Sequence, residues 1–380
     1  MAGSAELGQI AARAADDLIE RSPAFVGATE PDRELVGVAL SRMAEAGLFD
    51  LGYLTSESDR ISAGDMRRAV SVVTALAGRS LSLATIYMVN AIFGGAFVAQ
   101  IASPQQKSHL LPAIREGRLQ FAFAMTEPDA GSDASAIATR AVAVGQGFAI
   151  TGDKIFTTGA SAADYILVVA RSSGDDKRAL SLFLVPGSAE GVSIEPLPRV
   201  SGNLHASCRV TLRDVRLGPE QLLGGPEWLG KAWPVMRFSG SLERIVVAAT
   251  ATGLADAIVE RALSFAGERR QFGQPLVSFQ SLQHLLVEMR TAAVGMRLFV
   301  EHALQMFAAG EPEQAASMAK YHCAEQLQEI VAKGMRIMGG RAFFSFEQMS
   351  RYYCEAPFSL YAGGTVEIQK SLIARSMGIG

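Results

Sequence analysis

The stretch Ser239–Gly253, SGSLERIVVAATATG, sets an acid and a base side by side, Glu243 and Arg244, at the head of an uncharged, alanine-rich run. A carboxylate next to a guanidinium, entering apolar surroundings, is where buried ionic chemistry could sit. The same residues also suit a helix start, with Ser239 or Ser241 as the cap and Glu243 in the first turn, where the helix dipole favours an anion. Capping-box spacing is absent, because Gly240 stands three before Glu243. Taken alone, the stretch leaves both readings open.

Two further stretches carry chemistry. Phe121–Asp133, FAFAMTEPDAGSD, runs as a β-type segment through Phe123 and Met125 into Thr126, then turns with Pro128, Gly131, Ser132 and Asp133. Exposed N–H groups and hydroxyls in such a turn suit a pyrophosphate or the polar edge of a heterocycle; an ordinary polar turn reads the same way. Gly152–Ala160, GDKIFTTGA, puts Phe156 and Thr158 on one face of an extended strand. That pair could cover a flat ring and hydrogen-bond its edge, or be a strand entering a turn with Phe156 in the core.

The elements that must position these residues follow from composition and period. With 380 residues, 49% hydrophobic and 19% charged, the chain can bury a large core. A net charge of −3, with no basic block, gives nucleic-acid binding no support. Three well-separated cysteines (Cys208, Cys323, Cys354) predict a reducing, cytoplasmic setting without a disulfide framework, and the acidic N-terminus does not read as a signal peptide. The five histidines lack ligand spacing, so no metal is expected. The uncharged run Ser80–Gln106 is long enough to cross a membrane, but Asn90, Gln100 and Gly94–Gly95 favour a buried core helix.

Apolar residues recur at helical spacing in Ile10–Ile19, Leu35–Leu48 and Met66–Leu76, and Ser103–Pro104 starts another helix through Arg115. Six β-rich runs follow: Gln120–Met125, Gly147–Thr151, Tyr165–Ala170, Leu180–Val185, Val192–Leu197 and Ser207–Val215. Turns such as Ser173–Asp176 and Pro186–Ser188 separate them. Helical period then returns from Trp228 and persists, with long amphipathic runs over Leu242–Gly267, Phe279–Ala308, Pro312–Met338 and Glu367–Met377. The expected fold is α+β and multi-domain: an N-terminal helical domain (1–117), a middle β-barrel or sandwich (118–225) and a C-terminal four-helix bundle (226–380).

The joint order and spacing of TEPDAGSD, KIFTTGA, ERRQFGQPL (Glu268–Leu276), FQSLQHLLVEM (Phe279–Met289), Gly339–Gly340 and GGTVEIQKSLIAR (Gly363–Arg375) resembles the acyl-CoA dehydrogenase family over nearly the whole chain. The resemblance implies an FAD flavoprotein, a homotetramer or homodimer, that oxidises an acyl thioester to its 2,3-enoyl form and passes electrons to an electron-transfer flavoprotein or similar acceptor. It implies cofactor contacts at Phe123, Met125, Thr126, Ser132, Phe156 and Thr158, and at Arg269, Phe272, Gln280, Arg336, Gly339, Gly340, Thr365 and Glu367. Phe156 would stack on the isoalloxazine, with Thr158 near its reactive nitrogen.

The family most often places the catalytic base just before the Gly-Thr of the C-terminal motif, where this chain has Gly363. A minority, resembling isovaleryl-CoA dehydrogenase, carries a glutamate directly before an arginine on the long helix, which here is Glu243. The resemblance thus implies Glu243 as the base taking the α proton, with hydride passing to flavin N5. It also implies substrate contacts at Ser132, Ser241, Arg244 and the Gly363–Gly364 backbone. Phe93 and Phe97 would shorten the acyl pocket or simply pack in the core. Departures at Ser201, Asn203, Ser241, Arg336, Ala342 and Cys354–Ala356, and GYLTSESDRIS in place of an acid-Tyr-Gly-Gly turn, leave acyl-CoA and acyl or peptidyl carrier-protein substrates both open. The other readings are a flavin monooxygenase on the same fold and a catalytically inactive flavin-binding protein.

Overall fold

A computed structural model describes residues 3–55, 60–172, 176 and 178–379; most of the Ser173–Asp176 turn and part of GYLTSESDRIS lie outside them. The helices in chain order begin with α1 (Ser4–Arg21), α2 (Ala24–Gly27), α3 (Arg33–Glu45) and α4 (Ala63–Ala77). Next come α5 (Leu81–Met88), which runs through a π-helical stretch Val89–Gly95 into α6 (Ala96–Ile101), and α7 (Pro104–Arg115). Ser103 and Gln106 form the capping box that starts α7. The long apolar run Leu81–Ile101 is mostly buried within the protein.

Seven strands follow, β1 (Phe121–Ala124), β2 (Arg140–Val144), β3 (Gly147–Thr158), β4 (Tyr165–Arg171), β5 (Leu180–Pro186), β6 (Val192–Pro196) and β7 (Ser207–Leu217), in one sheet. β4 is its hub: it runs parallel to β1, antiparallel to β5, and meets β2 at the pair Arg140–Arg171. Its sequence YILVVAR and that of β5, LSLFLVP, are apolar without alternation, as strands enclosed on both faces must be. Ile150, Val168, Phe183, Val210 and Val215 form the centre of the core that this sheet covers.

The helical remainder comprises α8 (Trp233–Glu268), a short hairpin β8 (Arg270–Gln271) and β9 (Gln274–Pro275), α9 (Gln280–Ala308), α10 (Pro312–Met338), α11 (Gln348–Glu355), α12 (Phe358–Tyr361) and α13 (Val366–Ser376). The chain forms two compact units, residues 1–69 with 85–240, and 70–84 with 241–380. In the second unit, α8 lies so close to the 70–84 segment that a Cβ on Gly253 would sit 2.1 Å from the Thr74 carbonyl oxygen. No residue other than glycine permits that approach.

Three expectations need correction. α8 starts at Trp233, with Pro234 in its opening turn, so Ser239 and Ser241 are interior helix residues and not caps, and Glu243 is well beyond the first turn. The return of helical period from Trp228 agrees with this start, but Gly240 and the serines interrupt the apolar pattern before Leu242, which makes the serines read as caps. The sheet has seven strands and not six, because β2 was missed. Its sequence RAVAV is mostly exposed and carries only one buried residue, Ala141, leaving little pattern to read. Third, the ladder of β3 slips between Lys154 and Thr157, and Phe156 has φ 58°, so Phe156 and Thr158 are not on a regular extended strand.

Candidate active site

In the second unit, the geometry around Glu243 starts from helix period. Glu243 and Val247 are four apart on α8 and therefore share one face. Gly363 packs against that face: a Cβ built on it would lie 3.5 Å from Glu243 Cγ, 3.7 Å from Glu243 Cδ and 3.7 Å from Val247 Cγ2. Position 363 and the Glu243 carboxyl thus converge on one spot although they are distant in sequence. Gly363 and Gly364 have φ 71° and 89°, a left-handed pair that only glycine adopts cheaply. Two buried side chains hold this turn. Gln369 Nε2 donates to the carbonyls of Gly363 (3.0 Å) and Gly364 (3.2 Å), and Lys320 Nζ donates to the Leu360 carbonyl (3.0 Å).

As a residue Glu243 is only half-buried, yet its carboxyl group is desolvated. Burial is the largest influence on it and pushes its pKa up to about 7, against the opposing pull of Arg244, Lys320 and the Gly363 backbone N–H. A carboxyl poised near neutrality can take up and release a proton at working pH.

The other candidates in this unit occupy different places. Ser241 is fully buried, and its Oγ has no hydrogen-bond partner among the described residues. Two residues from Glu243 on a helix, it points to another side of α8 and does not join the carboxyl. Thr365 caps α13, its Oγ1 accepting from Ile368 N, and Glu367 is exposed in the first turn. Arg269 and Phe272 lie at the β8–β9 hairpin, and Gln280 opens α9 just after it. Phe272 is 93% exposed with φ 52° and precedes Gly273 at φ 79°, the double left-handed geometry of a two-residue hairpin turn. Arg336, Gly339 and Gly340 are exposed at the end of α10.

In the first unit, the segment after β1 is held by a buried ion pair. Glu127 accepts from Ala138 N (2.7 Å), Thr139 N (2.9 Å) and Lys154 Nζ (2.8 Å), while Lys154 Nζ also donates to the Met125 carbonyl (3.0 Å). Ile155 N donates to the Thr126 carbonyl (2.9 Å), so Met125 and Thr126 are fastened from two sides. Burial alone would raise Glu127; Lys154 and the hydrogen bonds outweigh it and lower its pKa. Burial lowers Lys154 to about 8. Phe156 is 64% exposed, Thr158 Oγ1 pairs with Ser207 Oγ at 2.8 Å, and Ser132 is exposed. Phe123 stacks on Phe93 (5.4 Å) and Phe97 (5.3 Å).

Sequence reasoning missed Lys320 and Gln369 as site residues and gave Glu127 and Lys154 no role. For Lys320 a signal existed: it shares the stripe of α10 that buries Ala316, Ala319 and Cys323, an unusual place for a cation.

The chain matches the family models for the acyl-CoA dehydrogenase middle domain over residues 122–215 and C-terminal domain over 231–378. A 3-(aryl)acrylate reductase of Clostridium sporogenes is 32% identical over 343 residues, 89% of each chain. The caffeyl-CoA reductase–Etf complex subunit CarC of Acetobacterium woodii is 30% identical over 341 residues, 88% of each. A crystal structure of acyl-CoA dehydrogenase from Geobacillus kaustophilus superposes with TM-score 0.83 at 28% identity, covering 96% of this chain and 93% of the other.

Proposed function

The chain belongs to the acyl-CoA dehydrogenase family, oxidoreductases acting on CH–CH groups, and from that premise we propose that it is an FAD-dependent α,β-dehydrogenase of a short or branched acyl thioester. The observation that carries the reading is the convergence of Glu243 and Gly363. The backbone at 363 cannot take a proton, and the side chain that occupies its neighbourhood is a carboxyl with a pKa near 7. Glu243 takes the α proton, Arg244 and Lys320 hold its charged form, and the Gly363–Gly364 N–H groups face the thioester carbonyl, stabilising enolate-like charge. Ser132 and Ser241 remain candidate substrate contacts.

What supports FAD, besides the family, is a set of polar and aromatic groups without a packing reason. Phe156 and Phe272 are exposed aromatics, and Phe156 sits in left-handed backbone at the slip in the β3 ladder, strain of about 1–3 kcal/mol that persists where a ligand uses it. Thr126, Thr158, Arg269, Gln280, Arg336 and Thr365 add the donors that a dinucleotide needs. When bound, FAD supplies the acceptor for the hydride leaving the β carbon. A three-domain division at 117 and 225, cytoplasmic location and assembly as a homotetramer or homodimer belong to the same proposal.

A second reading runs the chemistry backwards, reducing an enoyl thioester, and is favoured by the names of the two relatives given above. The same carboxyl would then deliver the proton to the α carbon, and an electron-transfer flavoprotein would supply electrons, as the Etf in the second relative's name suggests. The test is anaerobic mixing of the FAD-loaded protein with paired CoA and carrier-protein thioesters of short, branched and arylpropionyl groups. Bleaching of the flavin by one series supports dehydrogenation and identifies the carrier. Re-oxidation of the reduced protein by enoyl thioesters faster than bleaching by the saturated ones supports the reductase. No response to any thioester, with rapid oxygen consumption, would sink both in favour of a monooxygenase.

A further inference from the structure

Lys320 is fully buried in the middle of α10, and its single hydrogen bond among the described residues goes to the Leu360 carbonyl at 3.0 Å. An ammonium with three donors and one neutral acceptor is poorly compensated for the loss of water, and an apolar side chain of similar length would fill the space at no such cost. The charge therefore needs a partner in the field around it. The charged groups that face Lys320 are Glu243 and Arg244 on α8 and Glu367 on α13; those that face Glu243 are Arg244 on its own helix and Lys320 on α10. Leu360, which Lys320 holds, leads within three residues to Gly363, which packs against the Glu243 side chain: a Cβ there would lie 3.5 Å from Glu243 Cγ.

We propose that Lys320 is a positioning residue for the proton-abstracting carboxyl: pinned on Leu360, it fixes the turn that presents Gly363 and supplies the positive charge that keeps Glu243 ionised. The inference rests on Glu243 being the base. It assigns Lys320 two separable tasks, one geometric and one electrostatic. Burial lowers Lys320 to about 8 and raises Glu243 to about 7, and each charge opposes the other's shift. Without the cation, the desolvation of Glu243 acts with less opposition and its pKa rises.

The two tasks separate in a substitution series on the FAD-loaded protein. Lys320→Gln keeps a donor for Leu360 and removes the charge; Lys320→Met removes both; Lys320→Arg keeps both. Glu243 is titrated directly by carbon NMR of protein labelled at the glutamate carboxyl, its resonance identified by its absence in Glu243→Gln. The acid limb of flavin reduction by butyryl-CoA or isovaleryl-CoA is followed in parallel. Lys320→Gln and Lys320→Met should move the titration and the acid limb to higher pH by about one unit, the usual effect of losing one nearby opposite charge. Lys320→Met should also lower the limiting rate at high pH, and Lys320→Arg should leave the midpoint in place. Reciprocally, in Glu243→Gln the Lys320 ammonium should titrate at lower pH than in the wild type, read by nitrogen NMR. Unchanged midpoints in both directions overturn the proposal. Should Glu243→Gln still reduce flavin at the normal rate while the reciprocal shifts appear, the assignment of the base fails and the coupling stands.

Discussion

The protein buries two Glu–Lys couples built from the same parts, and they behave in opposite ways. In each, the lysine is fully buried, donates to a backbone carbonyl at 3.0 Å, and is lowered to about 8. In the first unit, Glu127 touches Lys154 directly and collects two backbone N–H groups, and its pKa falls. In the second, Glu243 has the field of Lys320 and Arg244 and one backbone N–H, and its pKa climbs to about 7. Burial and a nearby lysine therefore do not make a carboxyl reactive. What separates a fastening from a base is how many donors reach the oxygens.

The comparison breaks if the couples respond alike to substitution. The largest expected effect is on chemistry: Glu243→Gln should slow flavin reduction by a thioester substrate about 10²- to 10⁴-fold with FAD still bound, the range for losing a general base. Stopped-flow bleaching measures it, and a rate within a few-fold of wild type would remove Glu243 from its role. Lys154→Met should instead cost about 3–5 kcal/mol of stability, because Glu127 is left charged and buried without its cation. Denaturant unfolding of the FAD-loaded protein reads that cost, and Glu127→Gln with Lys154→Met together should lose less than Lys154→Met alone.

The pH dependence of stability sharpens the contrast, because the two signs differ. Glu127, with its folded pKa depressed, adds stability that is present above the unfolded pKa of about 4.5 and is lost as pH falls through the lower folded value. Glu243, with its folded pKa raised to about 7, favours the folded state fully below about 4.5, and that contribution disappears as pH rises through 7. Glu243→Gln should therefore be more stable than wild type at pH 8 by on the order of 1 kcal/mol, after discounting for partial exposure, and show almost no gain at about pH 4. Equal unfolding midpoints at both pH values would contradict the raised pKa. The smallest expected effect is a rescue. Glu243→Gln with Gly363→Glu should recover about tenfold of the lost rate, because a Cβ at 363 has van der Waals room beside residue 243. Recovery stays partial because the left-handed backbone there, φ 71°, resists a side chain by about 1–2 kcal/mol.

Legibility in the sequence followed how locally each feature is determined. α10 and α7 were read to the residue, Pro312–Met338 and Pro104–Arg115, because a proline opens each and a helical period runs to its end. The long run of α8 was read only from Leu242, although Pro234 marks its opening turn, because Gly240 and the serines interrupt the apolar period before Leu242. The pairing of Glu243 with Gly363 was legible only through resemblance to a family, since no periodicity links helix α8 to the turn before α13. Lys320 and Gln369 escaped for the same reason: each acts on a backbone carbonyl dozens of residues away, and the sequence around them reads as ordinary amphipathic helix. Phe156 and Phe272 were named from motif position, whereas their left-handed backbone emerged only from the folded chain.

The π-helical stretch Val89–Gly95 has a bearing on how this chain tolerates changes in length. A π turn spends one more residue per turn than α geometry. Here the wide turn lays Gly94 against the Phe121 ring and Gly95 against Leu54, while Asn90 Oδ1 accepts from Phe121 N at 2.9 Å and its Nδ2 donates to the Ile86 carbonyl. Loss of a single residue from this stretch can be taken up by tightening to α geometry, with the flanking helices kept in phase. The same loss within α10 would rotate every later residue by about 100° and carry Lys320's stripe off its face. One helix of the molecule thus holds a spare residue, and the one that bears the buried lysine holds none.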